Sequence, residues 1–214
     1  SSIFWKHPNL KQDMNLSSHQ SFEGQTFDHA ESAGSFIEQS EFLSCRFQRC
    51  DLGEAQLKSC TFRDCLFEDC GLEMMRVEKC VFKNTQFERS KMLGIDWTLA
   101  AWGRREIAQL IKTINFKDCV LNYSSFMGLN LKDIQFLNCN LLEVDFSETL
   151  LLKADFSDSD LQRAIFRNSD LREADFRKAR NYSISSQMNN ISRARFSLPE
   201  AMALLYAMDI RLED

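Results

Sequence analysis

Proline and glycine are scarce in this 214-residue chain, at two and seven residues. That excludes a proline-rich linker, a collagenous repeat and a glycine-rich phosphate loop. Histidine is scarcer than acid–base catalysis would require. The three of them, His7, His19 and His29, fall in the first thirty residues, away from any nucleophile, and read as ordinary surface histidines. No apolar run approaches the ~18 residues of a membrane span. The start, Ser1-Ser2-Ile3-Phe4-Trp5-Lys6, lacks the apolar core of a signal peptide. The expectation is one cytoplasmic domain with no membrane partner, no cofactor and no enzymatic activity.

What the chain has is a period of five. From Phe22 to Trp102 every fifth residue is large and apolar at sixteen of seventeen positions, Ser32 being the exception; from Phe116 to Phe176 the count is thirteen of thirteen, alternating Phe and Leu. The residue two places earlier is small or thiol-bearing, as in Ala154-Asp155-Phe156. Neither a helix nor a flat strand puts every fifth side chain on one side, so the backbone must turn a corner at each repeat. Phe pairs at 22 and 27, 42 and 47, 62 and 67, 82 and 87 recur every twenty residues. Four repeats then make one coil with four faces, and like side chains stack at the ~4.8 Å strand spacing. About thirty repeats give a prism of about seven and a half coils, roughly 36 Å long.

Eight cysteines would ordinarily suggest disulfides or zinc. Here Cys45, Cys50, Cys60, Cys65, Cys70, Cys80, Cys119 and Cys139 all stand two before a central residue, and they pair at separations of twenty. They read as an inward ladder of reduced thiols acting as compact hydrophobes, with no metal site.

These repeats resemble the pentapeptide-repeat family over residues 20 to 180. That resemblance implies an all-β, right-handed, four-sided parallel β-helix. The chain divides into an N-terminal cap (1–19), a first part of the β-helix (20–102), an inserted loop or short helix (103–115), a second part (116–180) and a C-terminal capping and dimerisation segment (181–214).

With catalysis unsupported, function is expected on the outward positions. Between Glu143 and Asp175 the acids are Glu143, Asp145, Glu148, Asp155, Asp158, Asp160, Asp170, Glu173 and Asp175, against Lys153, Arg163, Arg167 and Arg172. That window carries a net charge of −5, as does the whole chain. Spread over ~8 Å of axis it amounts to ~0.6 negative charge per Å, close to that of B-DNA. Either this is a DNA-like surface or it keeps a rigid rod soluble.

Between Trp102 and Phe116 the register breaks. Within this break Arg104 and Arg105 precede Ile107, Leu110, Ile111 and Ile114, which lie on one face of a short helix. That element either covers the register shift or projects to a partner. At the other end, Ser197-Leu198-Pro199-Glu200 has capping-box spacing, and predicts a helix starting near Leu198. Its apolar residues Leu198, Met202, Leu204, Leu205 and Met208, with Ile210 beyond, fit a cap or a homodimer interface.

A two-part prism with an interrupting loop and an apolar C-terminal helix is similar to the gyrase-protecting, Qnr and MfpA-like branch of the family. The segments Lys91 to Trp97, Asn181-Tyr182 and Arg193 to Ala201 resemble albicidin-resistance proteins of the AlbG type. The resemblance implies a dimeric DNA mimic that binds DNA gyrase, with topoisomerase IV as a second target, and shields it from a poison such as albicidin or a quinolone. A rigid scaffold for some other protein–protein interaction is the alternative. Direct nucleic-acid binding is disfavoured, because the acidic balance repels phosphate.

Overall fold

Five-residue repeats can close into a coil only if the backbone turns a corner in each repeat, and the computed structural model, which describes residues 16–102 and 114–208, shows where. The residue two after most inward side chains adopts a left-handed conformation, with φ between 47° and 62° at 27 non-glycine positions. This geometry costs an L-residue about 1–2 kcal/mol and is worse for β-branched side chains. None of the 27 is Val, Ile or Thr. Many corners are closed by a β-turn hydrogen bond, such as Ala55 N–H to the Leu52 carbonyl at 3.0 Å.

The result is a four-sided parallel β-solenoid of about eight turns. The first face carries the strands Ser21–Glu23, Glu41–Leu43, Thr61–Arg63 and Val81–Lys83. The second carries a six-stranded sheet from Thr26–Asp28 to Phe136–Leu137. The third is held by single parallel bridges from Glu31 through Asp51, Gly71, Lys91, Val120 and Asn140 to Asp160 and Arg180. The fourth begins with Phe36–Glu38, Gln56–Lys58 and Arg76–Glu78. Registers advance by twenty residues, as in Phe22 opposite Phe42.

At the break the register instead advances by 29, with Phe87 opposite Phe116 and Thr85 opposite Ile114. Nine residues are therefore additional. The chain leaves the first face after Trp102, whose indole N–H donates to the Trp97 carbonyl at 2.6 Å, and re-enters on the second face in the strand Ile114–Lys117. The short helix expected within 103–115 lies outside the described residues, apart from that strand's first two positions.

Nine phenylalanines, Phe27, Phe47, Phe67, Phe87, Phe116, Phe136, Phe156, Phe176 and Phe196, stack along the second face with ring centroids 4.3 to 5.4 Å apart. A second column runs up the first face through Phe22, Phe42, Phe62 and Phe82, then changes to the fourth face as Phe126, Phe146 and Phe166. Trp97 sits at the change, stacked on Phe126 at 5.8 Å. Two rings per coil thus fill the cross-section on either side of the break, and interior packing is conserved while the faces exchange roles.

The C-terminal helix is shorter than the capping-box spacing predicts. It spans Met202–Tyr206 with no side-chain cap, because the Ser197 hydroxyl instead accepts the Lys178 N–H at 2.8 Å. Residues 198–201 form a turn. Ala203 and Leu204 pack onto the last coil, covering core side chains that would otherwise meet water. Among the described residues, no helix is long and apolar enough to cross a membrane.

Candidate interaction surfaces

The nine acids singled out by charge do not form one face. Asp145, Asp155, Asp160, Asp170 and Asp175 each stand just before an inward residue, and each carboxylate accepts the backbone N–H two residues on, at 2.8 to 3.2 Å. This Asx-type cap closes the turn. It explains why acids accumulate at that register position where strands give way to turns. Glu143, Glu148, Asp158 and Glu173 occupy left-handed corners.

Most of their charge is also cancelled. Asp160 meets Arg180 at 3.0 Å, Asp170 meets Arg172 at 2.6 Å, Asp158 meets Lys178 and Glu173 meets Lys153 at 3.8 Å, and Glu143 is bonded to Arg163. Asp175 is 5% exposed and is held by Arg177 at 2.7 Å and Arg195 at 2.6 Å. Burial pushes its carboxyl up, but Arg177 and Arg195 more than reverse this and leave it below the usual range. Arg172 holds Asp170 low in the same way. Of the nine, Asp145, Glu148 and Asp155 make no ion pair among the described residues.

The sequence window ending at Asp175 stopped one coil short. Arg177, Lys178, Arg180, Arg193 and Arg195 follow, four of them bonded back to the acids below. Residues 143–195 carry nine acids and nine bases. The surplus of −5 instead lies in residues 16–102, with fourteen acids against nine bases. There the third face carries Glu31, Asp51, Glu54 and Glu73, none of which is in an ion pair among the described residues. A charge sum taken face by face at period twenty would have found them.

The inward ladder of thiols is present. All eight cysteines are free and buried, and those of the first part direct their sulfurs at backbone carbonyls, as Cys65 does toward Phe42 O and Arg63 O at 3.3 Å. Burial pushes the Cys65 and Cys119 thiols up to about 11 and raises Cys139 further. The neighbouring Cys50 thiol, with burial, does the same to Cys70, and Cys60 to Cys80. The same contacts lower the other thiol of each pair, Cys50 beside Cys70 and, to about 7, Cys60 beside Cys80; a reactive thiolate needs access as well as a low pKa, and both are buried. No group of three metal-ligating side chains converges among the described residues. His19 and His29 stand at exposed corners beside Glu38 and Asp28.

Of the residues expected at a dimer interface, Leu198 is 77% and Met208 45% exposed. Met202 and Leu205 are half-buried, and Leu204 is already packed on the rod. Tyr206, 65% exposed, belongs to the same surface and was not picked out by the sequence pattern. Ile210 lies outside the described residues, as do Arg104, Arg105, Ile107, Leu110 and Ile111.

The solenoid is similar in shape to two trypsin-treated variants of QnrB1, a plasmid-mediated fluoroquinolone resistance protein. One has a TM-score of 0.62 at 14% identity, covering 93% of this chain and 100% of that one. The other has 0.60 at 15%, covering 92% and 99%. It is also similar to HetL, a pentapeptide repeat protein involved in heterocyst differentiation regulation in the cyanobacterium Nostoc, with a TM-score of 0.51 at 15% identity over 84% of each chain. At such identities the likeness is one of fold. No curated protein sequence matches the chain. The pentapeptide repeat region family matches residues 40–124 and 106–176, more than half of the sequence, and the chain belongs to that family.

Proposed function

We propose that this protein is a non-enzymatic DNA mimic that binds DNA gyrase, with topoisomerase IV as a second target, and protects it from a gyrase-poisoning antibiotic or toxin. The observation that carries this reading is the rod itself. It matches QnrB1, a fluoroquinolone resistance protein, over the whole of that chain, and the excursion after Trp102 and the apolar C-terminal surface accompany it. The segments similar to AlbG-type proteins make albicidin a candidate poison. A rod lying where a DNA segment would lie keeps the poison from trapping a cleaved complex. In a homodimer joined through Leu198, Tyr206 and Met208 the acid-bearing second part would lie near the centre, and the 104–111 segment would reach another part of the enzyme. Direct nucleic-acid binding is not part of this reading, since a net charge of −5 opposes phosphate.

The cancelled acids favour a second reading, a rigid scaffold for another protein, because a mimic built on charge alone would leave its carboxylates unpaired. Binding of purified gyrase at low and physiological salt separates the two. A complex that weakens as screening shortens to ~8 Å at 0.15 M supports mimicry. No complex with gyrase or topoisomerase IV at low salt leaves the scaffold reading.

A further inference from the structure

The left-handed corners suit Gly, Asn and Asp, whose backbones visit that region at least cost. Of the 27 non-glycine residues there, only Met74 and Tyr123 are large and apolar or phenolic in character. They share one edge of the third face, two coils apart, with Gly94 at the corner between them (φ 68°). Met74 lies across Gly94, where a Cβ would come within 2.4 Å of its sulfur. Both are exposed, Met74 at 62% and Tyr123 at 54%. Half-buried Leu93, Val120 and Leu142 stand beside them on the same face. Apolar bulk is thus placed in water at the positions where backbone geometry most disfavours it, on two coils of one face, which marks an interaction surface.

From the coil of Met74 toward the N-terminal end, the same face carries the unpaired carboxylates of Glu73, then Glu54 and Asp51, then Glu31. The geometry points to a docking track for an amphipathic helix of another protein, apolar along one stripe and basic at the end that meets these carboxylates. The spacing suits a helix laid along the rod. Coils recur every ~4.8 Å and helical turns every ~5.4 Å, so the stripe from Met74 to Leu142, three coil steps, takes about ten helical residues. The acidic stretch takes about six more. Met74 supplies an adaptable thioether contact and Tyr123 an amphipathic anchor, while the carboxylates select the basic end. This track enters the second part of the rod only at Val120, Tyr123 and Leu142, and its test uses a peptide rather than gyrase, so its failure is distinguishable from failure of the topoisomerase reading.

The test uses a fluorescein-labelled sixteen-residue helical peptide, with leucines at i, i+3, i+4 and i+7 in one half and lysines in the other, titrated with the full chain. The proposal expects saturable binding that weakens with salt. Met74→Asn and Tyr123→Asn should each weaken it about tenfold, Glu54→Lys with Glu73→Lys should weaken it and flatten its salt dependence, and Val81→Thr on the first face should leave it unchanged. Because Asn suits a left-handed corner, the Met74 and Tyr123 variants should melt no lower than the parent. Absent binding to the parent, equal binding by the Asn variants, or a lowered melting temperature in both would overturn the proposal, the last by showing that these side chains serve the fold. Self-association of the parent that Tyr123→Asn abolishes would overturn it in favour of a second copy as occupant.

Discussion

Replacing Cys65 with Ser tests whether the inward small position is merely apolar or is a site lined by carbonyls. A hydroxyl buried without a partner costs ~1–3 kcal/mol. The Cys65 sulfur, however, lies 3.3 Å from both Phe42 O and Arg63 O. Hydroxyls at equivalent positions already use such carbonyls: Ser159 donates to Phe136 O at 2.7 Å, Ser169 to Phe146 O at 2.7 Å, and Thr85, one coil above Cys65, to Phe62 O at 3.2 Å. A hydrogen bond made there returns ~0.5–1.5 kcal/mol, so the net cost should stay within ~1 kcal/mol, or about 2–4 °C for a chain of this size. By contrast Phe67→Ala, which opens a gap in a column stacked at 4.3 Å, should cost ~3–5 kcal/mol. Thermal unfolding followed by circular dichroism measures both. A loss above ~2 kcal/mol for Cys65→Ser would show that the hydroxyl does not reach those carbonyls and that the ladder depends on sulfur.

Thiol reagents at pH 7.5 should label few of the eight cysteines in the native protein and all eight in denaturant; rapid native labelling of most of them would contradict their burial. The carboxyls of Asp170 and Asp175 are held low, so their stabilisation is complete above the unfolded value of ~3.9 and is lost as pH falls through the lower folded value. Asp175→Asn should therefore cost about 1–2 kcal/mol at pH 6, and its difference from the parent should shrink by pH 2. A difference that stays constant with pH would refute the ion pairs as its source. Deleting Arg104 to Lys112 removes the nine additional residues and restores the twenty-residue register, so the β-rich circular dichroism should persist; its loss would make that segment part of the core. Leu198→Asp with Met208→Asp should yield a monomer in light scattering if the C-terminal surface is a dimer interface, and leave the mass unchanged if it is not.

The fold was legible because its determinant is local and repeated. One inward residue in five, recurring by kind at twenty, specifies four faces and their register without any long-range guess, and the cysteines fall into place by the same count. The corner rule was equally visible, as the absence of β-branched residues two after each centre, but it is a negative signal that composition conceals. The surface was less legible. Charge read along the chain joined Asp145, Asp155 and Asp175, which are coil neighbours or turn caps, and missed that Arg180 and Arg195 return one coil later to Asp160 and Asp175. It also passed over Glu31, Asp51, Glu54 and Glu73, which lie up to 42 residues apart in sequence yet share one face. Helix capping failed at Ser197 because a backbone N–H from the preceding coil, Lys178, took its hydroxyl.

The most direct measurement is supercoiling by purified gyrase with increasing amounts of this protein, with and without a gyrase poison. The account predicts that low stoichiometry restores supercoiling in the presence of the poison, and that excess protein inhibits supercoiling by competing with DNA. Unchanged poisoning at every stoichiometry, with no complex formed at low salt, would contradict it.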